Sequence, residues 1–268
     1  MQPHGQRAAE PGGAELDALV FGVKPALRLV LSHAELARME ARLRDAGMHL
    51  VRARRNGRHV LYASRDASRA EELARLEARL ALDGFLPRAL FVDTQLAIGA
   101  LLGYPPCCVR AFASRYVRRG GVVRRTIFRR PRPDYTAARE AWVARPRPRL
   151  NQLRAGTHAA LISFEPCSFE CAAATALADA IAGAVREKDA PRLARIDALL
   201  ARAVAIARDD VRVVVELDAE RTRIVAATPP SRDARPAHAA LAERLQGAQI
   251  GPDGAVGDDV LVVDFGRT

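Results

Sequence analysis

All four cysteines of this chain fall in two short stretches, Gly103-Tyr-Pro-Pro-Cys-Cys-Val-Arg-Ala-Phe112 and Glu165-Pro-Cys-Ser-Phe-Glu-Cys171. A proline directly precedes the first cysteine of each. Proline is favoured at the first helical position, where its missing N–H costs nothing. Pro106 and Pro166 therefore predict a helix start at each motif, with Cys107, Cys108 and Cys167 in the first turn. The positive end of a helix dipole favours thiolate over thiol. The expectation is a fold with two helix beginnings that carry all of its thiols.

The spacing narrows the chemistry. Cys167 and Cys171 stand four apart, which predicts one face of one helix. Cys107 and Cys108 are adjacent, roughly 100° apart around a helix, so both reach one site only over the helix end. The C-x2-C pairs of ordinary structural zinc sites are absent. So are the usual ferredoxin spacings. Four thiolates from two helix starts suit an iron–sulfur cluster; zinc or another single ion is the alternative, and metal-free redox or nucleophilic thiols are a third reading. Small buried cysteines packed beside helix ends are the plain alternative. His158, Ser168 and Tyr104 are the candidates to stand behind the ligands. His158 also fits as a satisfied core histidine, and Ser168 as helix-start chemistry. Glu165 and Glu170 read as solvated, and Phe112 as a wall of the site. With no Gly-rich phosphate loop, no Ser/His/Asp arrangement and no His-x3-His pair, the residues specify no reaction, substrate or redox partner.

The chain of 268 residues is 49% hydrophobic, enough for a sizeable core. Its apolar runs, Leu96–Leu102 and Ala172–Ala184, are too short or too interrupted to span a bilayer. Residues 1–14 lack the apolar core of a signal peptide and read as a disordered tail. The expectation is a cytoplasmic protein, whose reducing surroundings favour metal-ligating or redox thiols over disulfides. The net charge of +11 is carried by arginine, since only Lys24 and Lys188 are lysine. Twelve arginines lie between Arg115 and Arg149 against two acids, Asp134 and Glu140. Within this insertion-like stretch, 117–149, Arg118, Arg119, Arg124, Arg125, Arg129 and Arg130 with Trp142 form a combination that binds phosphates and stacks on bases, which makes RNA or another nucleic acid a candidate partner. A solvated loop without a partner is the alternative.

The rest of the pattern predicts an α+β protein, with α/β units at both ends and a helical cysteine-bearing middle. Residues 15–92 read as a β-α-β-β-α unit. It has a strand over Ala26–Leu31, a helix capped by Ser32 and Glu35, a hairpin turning at Arg55-Asn-Gly57, and a helix opening at Asp66. Two helices on one face of the sheet are expected. The unit reads as scaffold, with ligand contacts near Lys24 as the alternative. Residues 93–207 hold both cysteine motifs, a short helix over Gln95–Leu102, a short helix across Tyr135–Val143, and long helices over Pro166–Glu187 and Pro191–Ala207. Residues 208–268 read as strand, turn, strand, helix from Pro236, and a last strand at Val260–Phe265.

Gly103-Tyr-Pro-x-Cys-Cys-x-x-x-Phe112 followed by Pro166-Cys-Ser-x-x-Cys171 resembles the paired motif of a functionally uncharacterised family of prokaryotic proteins. The resemblance covers about Leu101 to Ala180, with Gly22-Val-Lys-Pro25 as a further element. It implies that the four cysteines belong together and carries no activity across. The paired-cysteine domains of heterodisulfide-reductase-type enzymes, which hold iron–sulfur clusters, also use an adjacent Cys-Cys. This chain departs from them in spacing and lacks their final Cys-x-x-Cys.

Overall fold

The computed structural model describes residues 13–55, 57–82, 87–118, 146–151, 160–207, 211–229 and 236–266. Most of the expected tail, most of the arginine-rich stretch, the helix expected across Tyr135–Val143 and His158 lie outside them. The protein is α+β and divides into two units, Met1–Phe128 with Ala180–Lys188, and Arg129–Asp179 with Asp189–Thr268. No described helix is long and apolar enough to cross a membrane.

The first unit is built on an antiparallel sheet in the order β1-β3-β2, from β1 (Ala26–Leu31), β2 (His49–Arg55) and β3 (Arg58–Ser64). Gly57, at φ +76°, supplies the left-handed residue of the β2–β3 turn. Helix α2 (His33–Asp45) follows β1, and its capping box is present: the Glu35 carboxylate accepts from the Ser32 N–H at 2.7 Å and from its hydroxyl at 2.6 Å. At α3 (Ala67–Leu82) the Asp66 carboxylate takes the Ser68 N–H at 2.9 Å, which starts the helix where sequence places it.

The helices lie on both faces of this sheet, not on one. Leu61 and Ala63 of β3 join Leu27, Leu29 and Leu31 of β1 against Leu36, Met39 and Leu43 of α2. Val60 and Tyr62 point the other way, into a cluster with Leu73, Leu76 and Leu80 of α3. Alternate residues of a strand face opposite sides, so the unbroken buried run of β3 requires two covered faces. Phe91, Ile98 and Leu102 of α4 (Arg88–Leu102) complete the second cluster. This helix starts earlier than the Gln95–Leu102 segment that sequence marks. A helix that sequence does not mark, α1 (Gly13–Val20), sends Leu16 and Leu19 into the first cluster. Its buried Asp17 is ion-paired with Lys188.

Helix α5 (Pro106–Arg118) packs tightly on α4: a Cβ at Gly99 would run into the Val109 side chain. Val109 is β-branched and stiff, so Gly99→Ala is expected to cost about 1–3 kcal/mol by overpacking. Chemical denaturation measures it, and a neutral result would mean that the two helices separate freely.

Two groups link this unit's stability to high pH. Burial alone would lower the Lys24 pKa, but the Glu15 carboxylate 2.9 Å away and Tyr104 outweigh it and hold the group above its ordinary 10.5. Burial and the neighbouring Glu77 push the Tyr62 phenol above its ordinary 10.0. Both folded pKa values are raised, so both contributions are complete below about pH 10 and are lost as pH climbs through the folded values. The expected result is a denaturation midpoint that falls between pH 10 and 12 and is flat from 7 to 9. A midpoint unchanged to pH 12 would contradict it.

In the second unit β4 (Ala203–Ala207), β5 (Arg212–Leu217), β6 (Ile224–Thr228), β7 (Ala255–Val256) and β8 (Val260–Val263) form an antiparallel sheet in the order β6-β5-β4-β8-β7. Ala203, Ala205, Val260 and Val262 face Leu241, Ala242 and Leu245 of α7 (Pro236–Leu245). Val204, Ile206, Leu261 and Val263 face the other side, with Phe265. Strand β4 replaces the end of the helix expected to reach Ala207. That helix, α6 (Ala172–Leu200), has non-helical backbone at Asp189, two residues before Pro191, where the sequence marks a break. The Asp189 carboxylate accepts the Arg192 N–H at 2.8 Å and caps the second half.

Candidate metal centre

The first motif is shaped by the end of one helix and the start of the next. Gly103, at φ +74°, ends α4, donating its N–H to Ala100, while Tyr104 donates to Gly99 at 2.8 Å. A Cβ on Gly103 would stand 2.7 Å from Pro25 Cδ, so glycine is required by conformation and by space. Pro106 then opens α5, with Cys107 half-buried and Cys108 buried in its first turn. Their sulfurs are 3.9 Å apart.

The second motif differs from its expectation. No helix starts at Pro166; Cys171 is the N-cap of α6 and Cys167 lies in the turn before it. The two are therefore not on one helical face. A helix from Pro166 would need the Phe169 carbonyl for its own ladder, but that carbonyl accepts the Arg147 N–H at 2.9 Å. The Phe169 ring meets Phe265 edge-on at 5.3 Å and packs on the second sheet. A tight turn remains, in which Cys171 donates its N–H to the Ser168 carbonyl at 3.2 Å and accepts the Thr175 hydroxyl on its own carbonyl at 2.9 Å.

The segment preceding this turn is held by polar contacts. Arg149 donates to Asp179 at 2.8 Å and, through two nitrogens, to both oxygens of Asp197 at 3.0 Å. Buried Asn151 donates to the Leu200 carbonyl at 2.7 Å. Arg149, counted in the basic stretch, is thus committed to carboxylates.

The four thiol sulfurs lie within 4.8 Å of one another, and none is in a disulfide. Cys108 and Cys171 are buried; Cys107 and Cys167 are half-buried. Four mutually close soft donors are compatible with a metal ion. Of the residues expected behind the ligands, Tyr104 is half-buried beside Lys24, whose Nζ sits 4.6 Å from the ring centroid. Ser168 is exposed and acts on Cys171 through its carbonyl. His158 lies outside the described residues, as do Arg119, Arg124, Arg125, Arg129, Arg130 and Trp142; Arg118 is the last residue of α5, and its side chain is likewise outside them. Glu170 is exposed and Glu165 half-buried.

Two contributors are not marked as such in the sequence. Phe169 and the Arg147–Asn151 segment hold the second motif through partners distant in the chain, which local pattern does not show. Lys24 did leave a signal, as one of two lysines in a chain where lysine and arginine total 42.

Fold and site together define an α+β protein with a four-thiol cluster suited to a metal. Compared with known proteins, the chain matches no family model, no curated protein and no solved structure.

Proposed function

We propose that the protein is a metal-binding protein whose Cys107, Cys108, Cys167 and Cys171 hold one divalent ion, zinc, as thiolates. The observation that carries this is the compactness of the sulfur cluster. With metal–sulfur bonds of about 2.3 Å in a tetrahedron, ligand sulfurs stand about 3.8 Å apart. The Cys107–Cys108 separation is 3.9 Å, and no pair exceeds 4.8 Å. An iron–sulfur cluster, the other reading of the same donors, distributes its thiolates over different irons and spreads them further.

Four thiolates fill zinc's coordination, so the ion's role is structural. The protein residues do the positioning. Gly103 and Pro106 set the first pair, and Phe169 and Ser168 set the second.

The test is anaerobic purification followed by elemental analysis and an absorption spectrum, with cobalt substitution of the same sample. Stoichiometric zinc, no colour, and the visible bands of tetrahedral thiolate-bound cobalt are expected. Stoichiometric iron and sulfide with broad absorption in the blue would replace zinc by a cluster. No bound metal and no cobalt bands would remove the metal reading and leave thiol chemistry or packing.

A further inference from the structure

A buried lysine stands against the first cysteine motif. Lys24 is 1% exposed, its ammonium 2.9 Å from a Glu15 oxygen and 4.6 Å from the centre of the Tyr104 ring. Its neighbour Pro25 is the residue against which Gly103 packs without a Cβ. The Lys24 N–H donates to the Ala18 carbonyl at 3.0 Å, so its main chain is tied to α1 while its side chain reaches the motif. Tyr104 lies three residues before Cys107, and its main chain is fixed by the turn that ends α4.

Scaffolding alone does not call for such a pair. Burying an ammonium is costly even when it is paired, and a well-packed apolar pair in the same space is often as stable or more so. A buried polar pair at this place matters if it holds a neighbouring site in position. Groups behind metal ligands that orient them change metal affinity by about 10- to 100-fold.

We propose that Lys24, held by Glu15 and capped by the Tyr104 ring, is a positioning residue for the Cys107–Cys108 half of the metal site. This rests on the metal reading above. Lys24 binds no metal itself. It fixes the approach of Gly103-Tyr104 to the start of α5.

The experiment measures zinc affinity by chelator competition, and the cobalt–thiolate bands, in the wild type and two variants. Lys24→Met combined with Glu15→Leu removes both charges and leaves no orphaned carboxylate, so the fold should melt within a few degrees of the wild type. Its zinc affinity is expected to fall roughly 10- to 100-fold, with altered cobalt bands. Tyr104→Leu keeps the Lys24–Glu15 pair, removes the ring that the lysine packs against, and should lower affinity in the same direction. If the double variant fails to fold, Tyr104→Leu decides. Wild-type affinity and wild-type cobalt bands in the folded variants would overturn the proposal and make the pair scaffold. Failure of the wild type to take up cobalt or zinc is a different result, seen before any variant is made. It would remove the metal reading and this role with it.

Discussion

Cys108→Ser is expected to abolish tight zinc binding and to bring the melting temperature of the zinc-loaded protein down to that of chelator-treated wild type. Cys108 is 1% exposed, in the first turn of α5, with its sulfur 3.9 Å from that of Cys107. Serine oxygen is a hard, weakly acidic donor, and losing a thiolate costs more affinity than the 10- to 100-fold seen when only a supporting residue is lost. A ligand that binds only the folded state stabilises it by about 4 kcal/mol when present at a thousand times its Kd, and that contribution disappears with the site. Secondary structure should survive, because each sheet has its own apolar cluster. Circular dichroism with and without chelator checks both halves. A chelator-insensitive wild type, with Cys108→Ser melting normally, would mean that the cysteines are merely packed there.

Glu77→Gln should cost about 3 kcal/mol of stability, a large effect for a change away from the cysteines. The Glu77 carboxylate is buried and meets three groups, two by hydrogen bonds and one as an ion pair. The Tyr62 hydroxyl and the Arg28 guanidinium donate at 2.9 Å, and Arg55 stands 3.4 Å away with a side chain 14% exposed. Removing the charge weakens all three interactions at once in a nearly dry site, which costs more than the original pairs contributed. Arg28→Met should matter less, below about 1 kcal/mol, because that side chain is 40% exposed and water can solvate what remains. Urea denaturation of the two variants gives the order. Equal effects, or a Glu77→Gln midpoint matching the wild type, would show that the network is idle.

The legible parts of the fold are those whose physics is local. The Ser32–Glu35 box, the Gly57 hairpin turn, Gly103 at the end of α4 and the break before Pro191 each depend on a few neighbouring residues, and the structure has all four. The unread parts have partners far along the chain. Strand β4 reads Ala-Val-Ala-Ile-Ala after an alanine-rich helix, and only pairing with β5 and β8 distinguishes it from more helix. Cys171 begins α6, whereas Pro166 predicts an earlier start, because Phe169 is claimed by Phe265 and Arg147. The same holds for β3. Its run Val60-Leu-Tyr-Ala63 is apolar throughout, and such a run leaves open how many faces a sheet will cover. For the site, the motifs single out the cysteines, while Lys24 and Glu15 meet Tyr104 only once α1 and α4 have folded beside β1.

The arginine that holds Asp179 and Asp197 together also fixes the course of α6. Those two carboxylates are eighteen positions apart, and a straight helix would separate them by about 27 Å. One guanidinium contacts both within 3.0 Å. The chain must therefore turn back at Asp189, and Arg149 is the clasp that fastens Asp179 to Asp197.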